Sequence, residues 1–152
     1  MLQRIQTVYL VLVVLLCAFQ CFLPIGQFVA PDTVYSWEFA WLLNPETGES
    51  VYSTWAMAVL QVVMGCIALV TIFLYKKRVL QMRLSIVNMV LMIGFYLLYG
   101  YYYWLICHHI EKLMYSVTVG MAFPLISLIL TIMAFRGIFK DEALVRSLDR
   151  LR

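Results

Sequence analysis

Charge is the scarcest feature of this sequence. Only 12% of its 152 residues are Asp, Glu, Lys or Arg, while 64% are hydrophobic and 15% aromatic. A soluble domain carries roughly a quarter of its residues as charges, about twice this share, to solvate its surface. The outer surface of this chain is therefore expected to face lipid, and the mean hydropathy of +0.92 agrees. At this length a single domain is expected.

Four stretches lack Asp, Glu, Lys, Arg and His altogether: 7–25, 54–75, 84–106 and 115–135. Each approaches the length that a helix rising about 1.5 Å per residue needs to cross roughly 30 Å of hydrocarbon. Their polar content is confined to groups such as Gln20, Gln61, Thr71, Asn88 and Ser127, which can hydrogen-bond a neighbouring helix or their own backbone. They also lack the period-two alternation that lipid-facing barrel strands require, so helices are the expected spanning form. With no ionisable group at membrane depth, a proton relay or ion pump is not expected. Haem held across the spans would need a histidine inside one, and there is none.

Other chemical signatures are missing too. The four cysteines, Cys17, Cys21, Cys66 and Cys107, form no Cys-x-x-Cys pair of the kind that supports thiol redox chemistry. There is no Gly-rich phosphate loop, nucleophile elbow or two-carboxylate pattern. No enzymatic activity, cofactor or nucleic-acid partner is expected. Cys21 and Cys107 fall near the same end of their spans, where a periplasm would permit a disulfide. CHHIEK brings Cys107, His108, His109 and Glu111 together in sequence, but adjacent histidines seldom reach one metal ion, so these are read as interface residues.

What the chain does have is a strong bias in where its charges fall. Arg4 precedes the first span; Lys76, Lys77, Arg78 and Arg83 lie between the second and third; Arg136, Lys140, Arg146, Arg150 and Arg152 follow the fourth. Ten of the 11 basic residues thus share one side, and the other side holds Asp32, Glu38, Glu46, Glu49 and Glu111 with Lys112 alone. Basic residues near span ends mark the cytoplasmic side, so both termini are expected there. No small-x-small cleavage site follows the first apolar run, and a retained first helix is expected.

The loop 26–53 is more than a connector. In TVYSWEFAW, the aromatics Tyr35, Trp37, Phe39 and Trp41 alternate with other residues, which predicts one strand with one aromatic face. NPETGE supplies turn residues, and SVYST is expected to return as a second strand of a small hairpin. Such a face suits either the lipid headgroup level or a partner's outer domain. In the third span, Tyr96, Tyr99 and Tyr103 share a helical face with Trp104 beside them, an arrangement suited to a quinone or lipid pocket as well as to a membrane interface. Pro124 predicts a kink in the fourth span, and Ser116 and Gly120, four apart, predict close helix approach.

The tail 136–152 mixes charges of both signs. Asp141 and Glu142 suit the first turn of a new helix, and Arg150 and Arg152 its last. Leu144, Leu148 and Leu151 form one narrow apolar stripe at helical spacing, while Glu142 and Arg146 are spaced to pair. Because the charges nearly cancel, a polybasic lipid anchor fits poorly. A cytoplasmic amphipathic helix that docks on a partner, on lipid or on its own helices fits better.

MLQRIQTVYL, KKRVLQMRL and FKDEALVRSLDRLR, at the start, the central basic loop and the end, resemble the shared blocks of a small bacterial family. Its members are uncharacterised four-helix integral membrane proteins of Gram-negative bacteria, grouped as a domain of unknown function. The resemblance covers the whole chain and implies that its distinguishing residues lie on the cytoplasmic face. The layout is also similar in shape to claudin-like tetraspans with a β-structured first outer loop, although the cysteine pair of that loop is missing.

The sequence therefore predicts an all-α membrane protein: an antiparallel four-transmembrane-helix bundle with a small periplasmic β-hairpin and a cytoplasmic C-terminal amphipathic helix. Its expected role is a non-catalytic accessory or scaffolding subunit of a larger inner-membrane complex, with other integral membrane proteins and the bilayer as partners. Docking would use Leu144, Leu148, Leu151, Arg146 and Arg150 at one end and Tyr35, Trp37, Phe39 and Trp41 at the other. The alternative is binding or transport of a lipophilic ligand near Tyr96, Tyr99, Tyr103 and Trp104.

Overall fold

The computed structural model describes residues 3–30, 33–75, 77–109 and 114–149, with the side chains at 3, 4, 146, 148 and 149 outside that description. Among the described residues four α-helices form: α1 (Gln3–Gln20), α2 (Trp55–Phe73), α3 (Arg78–His109) and α4 (Ala122–Asp149). The segments α2, α3 and 119–145 are long and apolar enough to cross a membrane, while the apolar part of α1, Ile5–Gln20, is shorter. Five short strands accompany them: β1 (Gly26–Val29), β2 (Val34–Trp37), β3 (Trp41–Leu43), β4 (Ser50–Ser53) and β5 (Met114–Val117).

Each helix packs against two others, in the ring α1–α2–α3–α4 and back to α1. All five strands connect at one pole, after α1 and α3 and before α2 and α4, so consecutive helices run antiparallel. We call this the sheet pole and the opposite end the tail pole. The inward positions repeat at alternating spacings of four and three. They are Gln6, Leu10, Val13, Cys17 and Gln20 on α1, and Met57, Gln61, Met64, Ala68 and Thr71 on α2. On α3 they are Gln81, Ser85, Asn88, Met92, Phe95, Tyr99, Tyr102 and Ile106, and on α4 Pro124, Ser127, Thr131, Ala134 and Ile138. That is the seam spacing of coiled-coil packing.

The polarity of this seam is inverted relative to a soluble helix bundle. Gln6, Gln20, Gln61, Thr71, Gln81, Ser85, Asn88, Ser127 and Thr131 are all buried in it. Leu15, Phe19, Val59, Val90, Leu97 and Ile129 are each half exposed or more. Gln20, Gln61, Thr71, Asn88 and Ser127, expected to hydrogen-bond a neighbouring helix or their own backbone, all turn into the seam, although the Asn88 amide and the Ser127 hydroxyl have no hydrogen-bond partner among the described residues. Gln61 donates from Nε2 to Gln20 Oε1 at 2.9 Å and to the Cys17 carbonyl at 3.2 Å, tying α2 to α1. Thr71 and Thr131 instead donate back to the carbonyls of Ile67 and Ser127 on their own helices.

Several boundaries differ from the sequence reading. Helix α1 stops at Gln20 rather than running to 25. Its chain tightens into bonds from Cys21, Phe22 and Leu23 to carbonyls three residues back, and Pro24 ahead disfavours helical geometry in the residue before it. Tyr115–Val117 belong to β5 and not to the fourth span, so Ser116 and Gly120 do not form a helical packing pair. Pro124 sits in the first turn of α4, where its missing N–H has no intrahelical acceptor to lose, and the expected interior kink has no cause. The tail is no separate helix either: α4 runs unbroken from Ala122 to Asp149, because nothing in FRGIFKDEA except Gly137 disfavours helix.

The expected hairpin is part of a five-stranded antiparallel sheet in the order β4-β3-β2-β1-β5. Its NPETGE turn and its SVYS return strand form as read: the Glu46 N–H bonds to Asn44 Oδ1 at 3.0 Å, and β4 pairs with β3. The proposed single aromatic strand does not form. It folds at Phe39–Ala40, closed by a Glu38 N–H to Trp41 carbonyl bond of 2.9 Å, and Trp37 pairs with Leu42 across the hairpin. No Gly, Pro or Asn marks that bend, so alternation read straight through it.

Candidate functional site

At the sheet pole, β5 joins the two halves of the chain. It pairs with β1 in the register Gly26↔Val117 and Phe28↔Tyr115, which carries the α3–α4 connection into a sheet otherwise built from loop 26–53. Below it an aromatic cluster forms. Trp37 stacks on Tyr99 of α3 with ring centres 4.9 Å apart and planes 9° from parallel. Phe28 lies 5.8 Å from Trp37, 5.0 Å from Tyr115 and 6.2 Å from Tyr103. The Tyr99 and Tyr115 hydroxyls hydrogen-bond to each other, and burial raises the Tyr115 phenol above its ordinary value. Trp37 is fully buried and donates its indole N–H to Thr54 Oγ1 at 3.3 Å, fixing β2 to the start of α2. Such ring pairs add about 0.5–1.5 kcal/mol each beyond their buried area.

The residues expected to act together are divided. Of the strand aromatics, Trp37 is core, Tyr35 and Phe39 are half-buried, and Trp41 is 48% exposed. Of the proposed pocket, Tyr99 is buried within the cluster and fills space rather than lining it, while Tyr103, 38% exposed, packs its ring against the cluster from the outside. Tyr96 turns the other way, donates to the Met121 carbonyl at 2.9 Å, and borders an apolar groove of about 560 Å³ with Val117, Val119 and Leu125. Trp104 lies on the surface, stacked on His108. All four cysteines are free thiols, Cys21 and Cys107 included. Glu111 and Lys112 lie outside the described residues.

Close approach of the chain to itself locks this pole. A Cβ on Gly120 would strike the Pro24 carbonyl, so the turn into α4 rests directly on the backbone between α1 and β1. Phe28 and Tyr115, both central to the cluster, escaped sequence reading. The short alternation in GQFV was the available signal for Phe28; Tyr115 offered none, because its apolar run continues into α4.

The tail pole holds a different kind of site. Gln6 of α1 donates from Nε2 to Asp141 Oδ2 of α4 at 2.8 Å. Gly137 makes room for it, since a Cβ there would come within 2.8 Å of Gln6 Cγ. Beside this link lies a cavity of about 280 Å³ lined by Gln6, Thr7, Tyr75, Arg78, Gln81, Ile138 and Asp141. MLQRIQTVYL, KKRVLQMRL and FKDEALVRSLDRLR, distant in sequence, each supply part of its wall. Of the proposed tail stripe, Leu144 is 50% exposed and so does not bury against its own helices. Leu151 and Arg150, and the side chains of Arg146 and Leu148, lie outside the described residues.

These features define a mostly helical protein with long apolar helices, a polar inner seam and a small antiparallel sheet across one pole. The chain belongs to the family described as Domain of unknown function (DUF4293), whose model matches residues 2–151. No curated protein matches the sequence.

Proposed function

We propose that the protein crosses the inner membrane of a Gram-negative bacterium four times, with its sheet pole in the periplasm and both termini in the cytoplasm. There it serves as a non-catalytic accessory or scaffolding subunit of a larger membrane assembly. Apolar side chains outside and amides and hydroxyls inside suit a helix ring surrounded by hydrocarbon. At 18 residues, α1 is about 27 Å long, close to the hydrocarbon thickness. The basic bias toward the tail pole supports the orientation.

The observation that carries the scaffold reading is the free edge of β5. Among the described residues its partner strand β1 lies on one side only, and Met114 and Val117 are 77% and 65% exposed. An open edge strand presents unpaired backbone N–H and C=O groups to any extended segment that can add to the sheet. Here the edge stands on an aromatic base that holds it rigid, so little ordering opposes docking. An extended periplasmic segment of another integral membrane protein is the partner this edge fits. The lipophilic-ligand alternative is less well supported, because side chains fill the space beneath the sheet.

Tagged full-length protein, purified in mild detergent and analysed by quantitative mass spectrometry, tests this reading. A partner is expected in stoichiometric amount and is expected to be lost when Met114→Lys and Val117→Lys are combined. Repeated recovery of the chain alone contradicts the proposal.

A further inference from the structure

The tail-pole cavity presents side chains of both charges. Arg78 and Asp141 line it together yet do not pair, and among the described residues the Arg78 guanidinium makes no hydrogen bond or ion pair. Gln81 is only 6% exposed and lines the same cavity, and its side-chain amide has no hydrogen-bond partner among the described residues. The Gln81 amide opens to the cavity, where it can hydrogen-bond a polar ligand. Asp141 already accepts from Gln6 through one oxygen. With a volume of about 280 Å³, the cavity has room for a compact polar group.

Two further depressions continue from this cavity. Arg78 is shared with one that also holds Lys77 and Arg83, and that one shares Val79, Arg83 and Glu142 with an apolar groove between α3 and α4. The groove, of about 330 Å³, is walled by Met82, Ile86, Phe135 and Phe139. A polar cavity, a cationic shelf and an apolar channel therefore follow one another, and they match an amphiphile in the order ammonium, phosphate, acyl chain.

We propose that this pole binds an aminophospholipid, with its primary ammonium between Asp141 and Gln81, its phosphate on Arg78 and Arg83, and an acyl chain along the α3–α4 groove. The guanidinium fork suits phosphate oxygens, and the acceptors in the cavity suit N–H donors. A quaternary ammonium has no N–H to offer and is held by aromatic cages, whereas among the described residues Tyr75 is the single ring that lines this cavity. A glycerol headgroup brings no cation for Asp141. The site rests on the membrane placement proposed above and is independent of any protein partner.

Native mass spectrometry of the full-length protein in mild detergent tests the assignment, with phosphatidylethanolamine, phosphatidylcholine and phosphatidylglycerol supplied in equal amounts. Phosphatidylethanolamine is expected to be retained about tenfold over the other two, the scale of one charge-assisted hydrogen bond. Arg78→Gln and Asp141→Asn are each expected to abolish that preference, while Lys112→Gln leaves it intact. Asn at 141 still accepts from Gln6, so this variant keeps the α1–α4 link if Arg78→Gln fails to fold. Equal retention of the three lipids overturns the proposal, as does a preference that survives both variants. Soluble phosphoethanolamine displacing the lipid at equal concentration also overturns it, because the acyl groove would then contribute nothing. Partner recovery in the previous experiment is a separate readout, so failure here leaves the scaffold reading standing.

Discussion

Replacing Trp37 and Trp41 in turn separates the folded sheet from a single aromatic strand. Trp37 is fully buried, stacked on Tyr99 at 4.9 Å and bonded to Thr54 at 3.3 Å. Truncating a buried Trp to Ala costs about 3–5 kcal/mol, and the long indole bond contributes roughly 0.5–1 kcal/mol of that. For a chain of this size about 1 kcal/mol moves Tm by roughly 2–4 °C, so Trp37→Ala should lower it by about 6–20 °C. Trp41 is 48% exposed and lies past the bend, so Trp41→Ala should cost about 1 kcal/mol or less and move Tm by under about 4 °C. Trp37→Phe keeps a ring but loses the indole N–H and some volume, and should fall between them. Thermal unfolding in mild detergent, followed by far-UV circular dichroism, reads all three. Equal losses for Trp37→Ala and Trp41→Ala would refute the hairpin at Phe39–Ala40 and the locked sheet pole with it.

The inverted seam makes predictions of opposite sign at two buried amides. Asn88 is fully buried with neither amide atom bonded, so Asn88→Leu should raise stability by about 1–3 kcal/mol in detergent unfolding. Gln61→Leu removes two interhelical bonds and should lower it by about 1–3 kcal/mol. Gly120→Ala should cost more than about 1 kcal/mol, because the clash is with backbone, whereas Gly94→Ala meets nothing within 4 Å and should gain up to about 1 kcal/mol from helix propensity. Pro124→Ala, in the first turn of α4, should change Tm by no more than about 2 °C; a large stabilisation would mean that the proline strains the helix after all.

How far the fold could be read depended on how local its determinants are. The second span, read as 54–75, forms as Trp55–Phe73, since both of its limits are set by the chain next to it. The inward turn of Gln20, Gln61, Thr71, Asn88 and Ser127 also followed from their chemistry, because apolar surroundings leave polar side chains only each other and the backbone. Strand β5 was not legible. Tyr115–Val117 are as apolar as the helix that follows, and what makes them a strand is pairing with β1, far away in the chain. The bend after Trp37 lacked the residues that normally announce one. At the tail pole, charge bias gave the location, but the Gln6–Asp141 bond joins residues 135 positions apart and no spacing rule reaches that far. The close fit of Gly137 against Gln6 was likewise out of reach, because it depends on another helix.

Both proposals require the two poles to lie on opposite sides of a membrane. With Cys17, Cys21, Cys66 and Cys107 replaced by Ala or Ser, Thr47→Cys in the β3–β4 turn and Leu144→Cys on α4 each provide one exposed thiol. In intact cells, a maleimide that does not cross the inner membrane should label Thr47→Cys fully. It should reach Leu144→Cys only after permeabilisation. Labelling of both in intact cells, or of Leu144→Cys alone, would contradict the orientation on which the periplasmic sheet edge and the cytoplasmic lipid site depend.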